Sequence, residues 1–169
     1  NNIISNLAIR DASDVAAIWK HSHSRFLPYY SFALNYQASG LEVASYHYVN
    51  LTIHLLSALF VWFLTYLLCS TPNLRNTRLN EYRKAIAICA ALLFVSHPLA
   101  TQSVTYIVQR MASMAAMFYI LSVLLYVKGR LTESAEKYVW FIGSLLAGTA
   151  ALLSKENAYT LPYSLILCE

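Results

Sequence analysis

The stretch Tyr46 to Cys69, YHYVNLTIHLLSALFVWFLTYLLC, decides the fold. It runs for 24 residues without a formal charge, and a helix needs roughly 20 such residues to cross the hydrocarbon of a bilayer. His47, Asn50 and His54 stand in it at i, i+3 and i+7, so they share one stripe of the helix. Polar groups facing lipid are costly, and the stripe therefore points at other protein or at a wet cavity, either as helix-to-helix hydrogen bonding or as part of a site. Asn50-Leu51-Thr52 matches a glycosylation sequon, but inside a spanning helix it is a decoy.

Working outward, the same character recurs. Ser70 to Lys84 is a short polar loop, and Ala85 to Val95 is a second apolar run of 11 residues that stops at Ser96-His97-Pro98. Such a run is short for a crossing, and irregular backbone at membrane depth is tolerated beside a water-filled cavity, so Leu99 to Arg110 is expected to line one. Met111 to Val127 crosses back. After the loop Lys128 to Lys137, Tyr138 to Ser154 crosses again, with Gly143, Ala147 and Ala151 spaced four apart as a close packing face. Upstream, Asp11 to Lys20 has Val15, Ile18 and Trp19 at helical spacing behind a cap at Asp11 or Ser13, which suits a helix lying on the membrane. The aromatics of Arg25 to Tyr36 suit the headgroup level.

Composition agrees. Hydrophobic residues make up 58% and charged ones 12%, with a mean hydropathy of +0.47, whereas soluble domains carry about 25% charged residues. The expected fold is thus an all-α polytopic transmembrane helix bundle of about five segments, 46–69, 85–98, 103–127, 138–154 and 157–169, behind a first loop at 1–45. The chain opens at Asn1 without an initiator Met and stops at Glu169 after an apolar run, so both ends read as cuts. Cys69, Cys89 and Cys168 lie in or beside apolar runs without metal-ligand spacing and read as small core residues.

The net charge of +4 comes from basic residues that form no single patch, which argues against nucleic acid as a partner. Topology explains them better. Arg75, Arg78, Arg83 and Lys84 occupy one short loop and Lys128, Arg130 and Lys137 the other, and the positive-inside rule makes both loops cytoplasmic. Arg10, Lys20, Arg25, Arg110 and Lys155 then fall on the opposite side.

That side holds the residues suited to chemistry. Arg110 interrupts an apolar run, and a guanidinium binds phosphate oxygens in bidentate fashion, so it is the foremost candidate for an anion; snorkelling is the competing role. Lys155-Glu156 is a second candidate, or a wet turn with its own ion pair. His21 and His23 lack a third ligand and read as solvated, and Asp11 and Asp14 read as capping groups.

The segments RFLPYYSFALNY (Arg25 to Tyr36), YHYVNLTIH (Tyr46 to His54), HPLATQSVTYIVQR (His97 to Arg110) and LLSKENAYTLP (Leu152 to Pro162) together resemble the membrane portion of the transmembrane and tetratricopeptide-repeat proteins, whose animal members are O-mannosyltransferases. The chain looks like a bacterial relative, which would sit in the inner membrane. The resemblance implies a GT-C-type glycosyltransferase that uses a polyprenyl-phosphate sugar on the non-cytoplasmic side, with the lipid bilayer and an acceptor protein or glycan as partners. It places the acidic catalytic motif upstream of Asn1, so the fragment is expected to be inactive alone, with no cofactor or metal assigned. Arg110, Lys155 and Arg25 would neutralise the donor phosphate, while His97, His54 and His47 would orient hydroxyls or the phosphate, supported by Asn50, Gln102 and Glu156. Gln102 departs from the pattern, since many relatives have Glu in that turn, and the repeats do not follow here. Two other classes fit the composition: a secondary transporter with broken helices, which inverted repeats would favour, and a membrane anchor without chemistry.

Overall fold

A computed structural model describes residues 10–168; the first-loop assignment extends beyond them at its start. Among the described residues the chain is helical with no strand, in nine α-helices joined by turns. Helix α1 (Val15–His21) is capped by Asp14, whose Oδ1 accepts from the Ala17 amide at 2.9 Å. Asp11 instead accepts from the Ser13 amide and hydroxyl, which corrects the expected cap. These bonds, the hydroxyl's first, hold the Asp11 carboxyl below its ordinary value.

The aromatic stretch forms a helix, α2 (Phe26–Ser39), with Pro28 in its first turn, where a missing N–H costs nothing. It ends at Gly40, whose φ of +59° is a conformation that side chains disfavour. Its buried face, Tyr29, Phe32 and Ala33, packs with Ile18, Tyr46 and Met111 into one core cluster.

Helix α3 (Val43–Leu68) has 26 residues, which at 1.5 Å per residue spans about 39 Å against a hydrocarbon thickness of about 30 Å. After the short α4 (Arg78–Glu81), α5 (Arg83–Ser96) runs for 14 residues and stops. Pro98 ends it, since it has no N–H to give and pushes His97 into an extended conformation, seen at ψ 127°. The chain bends by 53° into a turn at Pro98–Ala100 and α6 (Thr101–Thr105). Tyr106 is extended, a further turn covers Ile107–Gln109, and α7 (Arg110–Arg130) begins.

Among the described residues two helical stretches, Val43–Leu68 and Ile107–Arg130, are long and apolar enough to cross a membrane, and the bent pair would make a third. Helix α8 (Lys137–Leu152) is apolar but shorter. The pairing of α7 with α8 is the most extensive among the described residues. Its seam is small and polar: Ser122 and Ser144 each donate to the other's carbonyl at 2.8 Å, and Ala147, Gly148 and Ala151 are buried beside them. A Cβ on Gly148 would meet the Leu161 side chain at 2.8 Å, so that side chain packs directly on the glycine. A turn at Glu156–Thr160 leads into α9 (Leu161–Leu167), held to α7 by a short hydrogen bond between Tyr119 and Ser164. Of the cysteines, Cys69 is buried and Cys168 half-buried, but Cys89 is exposed on the outer face of α5 and is not a core residue.

Candidate functional site

The polar stripe of α3 faces the broken segment. His47 Nδ1 lies 3.0 Å from the Val104 carbonyl, and Asn50 Nδ2 donates to the carbonyls of Val104 at 3.5 Å and Tyr106 at 3.4 Å. Further along, His54 Nε2 is 3.4 Å from the Val95 carbonyl, and its ring stacks on Phe94. An acceptor carbonyl requires that the facing ring nitrogen carry the proton. Backbone released from helix geometry is thus satisfied by side chains, which the low-dielectric surroundings demand.

Arg110 sits below this stripe and is 0% exposed. Its Nε donates to Asn50 Oδ1 at 2.8 Å, and Nη2 donates to Asn35 Oδ1 at 2.9 Å and the Tyr46 carbonyl at 3.0 Å. Nη1 reaches the Ser31 carbonyl and hydroxyl at 3.4 and 3.5 Å. The Phe32 ring lies 4.4 Å from the guanidinium carbon. Every nitrogen is engaged by protein and Arg110 lines none of the cavities beside α7, so the expectation that Arg110 meets a donor phosphate does not fit this geometry. Snorkelling does not describe it either.

The space lies beside α7. A cavity of about 550 Å³ is lined by His54, His97, Ala100, Ser103 and Gln109 on one side and by Ala112 and Ala116 of α7 on the other. The same two alanines line a second cavity of about 270 Å³ with Lys155, Asn157 and Ala158. Ala158 in turn lines an apolar groove of about 580 Å³ that runs down α8 and α9 past Gly148, Leu152, Leu161 and Leu165. Through these shared alanines the three adjoin in one order, a path with a mouth of two imidazoles and one amide, a middle with one ammonium, and an apolar trough.

Among the expected cations, Lys155 alone faces this path without a side-chain partner among the described residues. Glu156 does not pair with it. Its carboxylate takes Ser24 Oγ at 3.0 Å and Arg25 Nη2 at 3.3 Å, and the Leu27 amide donates to the Leu153 carbonyl close by. Its own backbone amide, then Ser24 and Arg25, hold that carboxyl below its ordinary value. Arg25 is therefore a partly neutralised tie rather than a free anion ligand. His47 is committed to backbone, His97 is exposed at the mouth with Nδ1 accepting from the Leu99 amide, and Gln102 points outward from α6. Sequence reasoning missed Asn35 and Ser31 as partners of Arg110, and Asn157 as a lining group, whereas Gln109 falls in the stretch expected to line a cavity. A lone Asn in an aromatic helix and the alanines of α7 were the available signals.

Comparison with known proteins gives the setting for this path. The chain is 35% identical over 144 residues, 82% of its length, to the human protein O-mannosyl-transferase TMTC2, of which this is 16%. It is 27% identical to human TMTC4 over 94% of the chain, and 30% identical to Drosophila melanogaster Tmtc1 over 98% of it. These matches span 24% and 17% of those two relatives. No family model matches the chain, and no solved structure does.

Proposed function

Because the chain belongs to the TMTC O-mannosyl-transferase-like family, we propose that it forms part of an integral membrane glycosyltransferase for protein O-glycosylation, with the cleft beside α7 receiving a polyprenyl-phosphate-linked sugar. The observation that carries the reading is the path itself. It places an unpaired ammonium, Lys155, between a mouth lined by hydrogen-bonding groups and an apolar trough. A lipid phosphate sugar has the same order of parts: sugar, anion, hydrocarbon. In the membrane the mouth faces the non-cytoplasmic side, as the basic loops at 70–84 and 128–137 favour the cytoplasm.

Transfer forms a bond from an acceptor hydroxyl oxygen to the anomeric carbon and breaks the bond from that carbon to the phosphate, which leaves with the electron pair. The hydroxyl proton goes to a base, to which no residue here is assigned. Lys155 stabilises the charge that grows on the departing phosphate. His97 and Gln109 at the mouth contribute hydrogen bonds to sugar hydroxyls, and His54 keeps the wall of the cavity in place.

The test is the full-length protein assayed with polyprenyl-phosphate sugars, wild type against Lys155→Met and Lys155→Arg. A lost charged hydrogen bond is worth about 1.5–3 kcal/mol, so Lys155→Met should lower kcat/KM by roughly ten- to more than a hundredfold, with Lys155→Arg in between. Full activity in Lys155→Met would remove the phosphate site from this cleft. No transfer of any sugar by the wild type would leave a membrane anchor.

A further inference from the structure

Arg110 is costly where it stands. It is a buried charge with no carboxylate among its contacts, at the first position of α7, where the helix end is itself partly positive. Apolar side chains would join the helices without that desolvation cost. What a guanidinium adds is direction. Its Nε–H can only donate, so it claims Asn50 Oδ1 and leaves the Asn50 amide nitrogen turned to the carbonyls of Val104 and Tyr106. Val104, also held by His47, lies in the last turn of α6, where the helical ladder stops. The other edge of the same guanidinium holds Asn35 and Ser31 of α2, the helix that begins at the Arg25–Glu156 tie beside Lys155.

We propose that Arg110 is a positioning residue: acting through Asn50, it sets the place of the broken segment 97–109, which lines the cleft, and registers it against α2, the helix that starts at the tie beside Lys155. Its consequence for transfer rests on the donor reading above; its consequence for the segment does not.

Two isosteric changes separate the halves of this device. Asn35→Asp keeps the acceptor for Arg110, and the partners of its amide nitrogen are the hydroxyls of Ser39 and Ser45, which can donate instead. Asn50→Asp also keeps the acceptor, but its amide nitrogen faces carbonyls, which cannot donate, and a carboxylate oxygen there pushes the segment away. The position of the segment is read in the full-length chain by the rate at which a membrane-impermeant maleimide modifies the thiol of Ser103→Cys, with the three native cysteines replaced. Ser103 is half-buried in the cavity wall. Asn50→Asp should speed labelling severalfold and, since a shift of about 1 Å costs on the order of a hundredfold, lower kcat/KM by up to that factor. Asn35→Asp should leave both unchanged. His47→Phe, which removes the second donor to Val104 without touching Arg110, should also speed labelling, and covers the case in which Asn50→Asp does not fold. Parental labelling rates in Asn50→Asp or His47→Phe, or equal effects of the two Asp substitutions, would overturn the proposal. Faster labelling with undiminished transfer would sustain it and overturn the donor site instead.

Discussion

Arg110 and Lys155 carry the same charge near the start of α7, and their surroundings give them different work. The arginine fork satisfies several fixed acceptors at once, which suits a sealed network. The lysine ammonium is a compact point charge that faces open space. Glu156, next in sequence, is turned the other way and closes the first loop onto the end of α8. Its folded carboxyl lies below the ordinary value of 4.5, so the tie contributes stability above that value and loses it as pH falls through the lowered one. Both partners are near half exposed, at 42% and 43%, which limits the pair to about 0–1 kcal/mol. As the pH is lowered from neutrality through the carboxylate range, wild-type Tm should therefore fall by a few degrees more than that of Glu156→Gln. Parallel pH profiles would show that the tie carries no stability. Sequence alone points to Arg110 as a ligand because it shows only a charge in an apolar run. Asn35, which helps seal it, lies 75 residues away, and no periodicity links two positions across three helices.

At the scale of elements, hydropathy determined most of what was readable. The long run at α3 and the stop at His97-Pro98 follow from composition and from the chemistry of proline, whereas the helical state of α2 was hidden behind residues equally suited to an interface. The small residues of α8 were legible as a packing face, but its width was not: Ser144 and Gly148 join Ala147 and Ala151, while Gly143 meets only Leu125 at the margin. Ala151 is 0% exposed in that seam and Leu145, on the rim of the apolar groove, is 72% exposed. Ala151→Leu should thus cost about 1–3 kcal/mol through overpacking, seen as a lower Tm in detergent. Leu145→Ala should leave Tm nearly unchanged. If the two substitutions behave alike, the seam is not a tight contact and the trough it borders has no rigid wall.

Across the whole molecule, the two ends differ in kind. Thr71 to Asn73 and Arg130-Leu131 line one cavity, so both short basic loops meet at the same end of the bundle. The opposite end holds α1, α2, the Arg110 network and the Lys155 turn, where Arg110 and the Arg25–Glu156 pair are tied into contacts and Lys155 faces the cleft. Between the ends, α3, α5 and α8 present large apolar residues outward, among them Leu55, Leu93 and Leu146, an apolar surface that a bilayer or further protein would cover. The positive-inside rule is a bias counted over short loops, and here seven of the twelve basic residues lie in two such loops. The orientation it selects also puts the mouth of the cleft where a lipid-linked sugar is used in the proposed reaction. Single cysteines provide the check, with the native ones replaced. Those introduced by Asn76→Cys and Ser134→Cys should react with an impermeant maleimide only after the cytoplasmic face is opened. One introduced by Ser22→Cys, just beyond α1, should react in intact cells. Labelling at position 76 from outside would invert the bundle, and with it the cleft would open to the cytoplasm, so a donor of a different kind, soluble rather than lipid-linked, would have to be considered for the same residues.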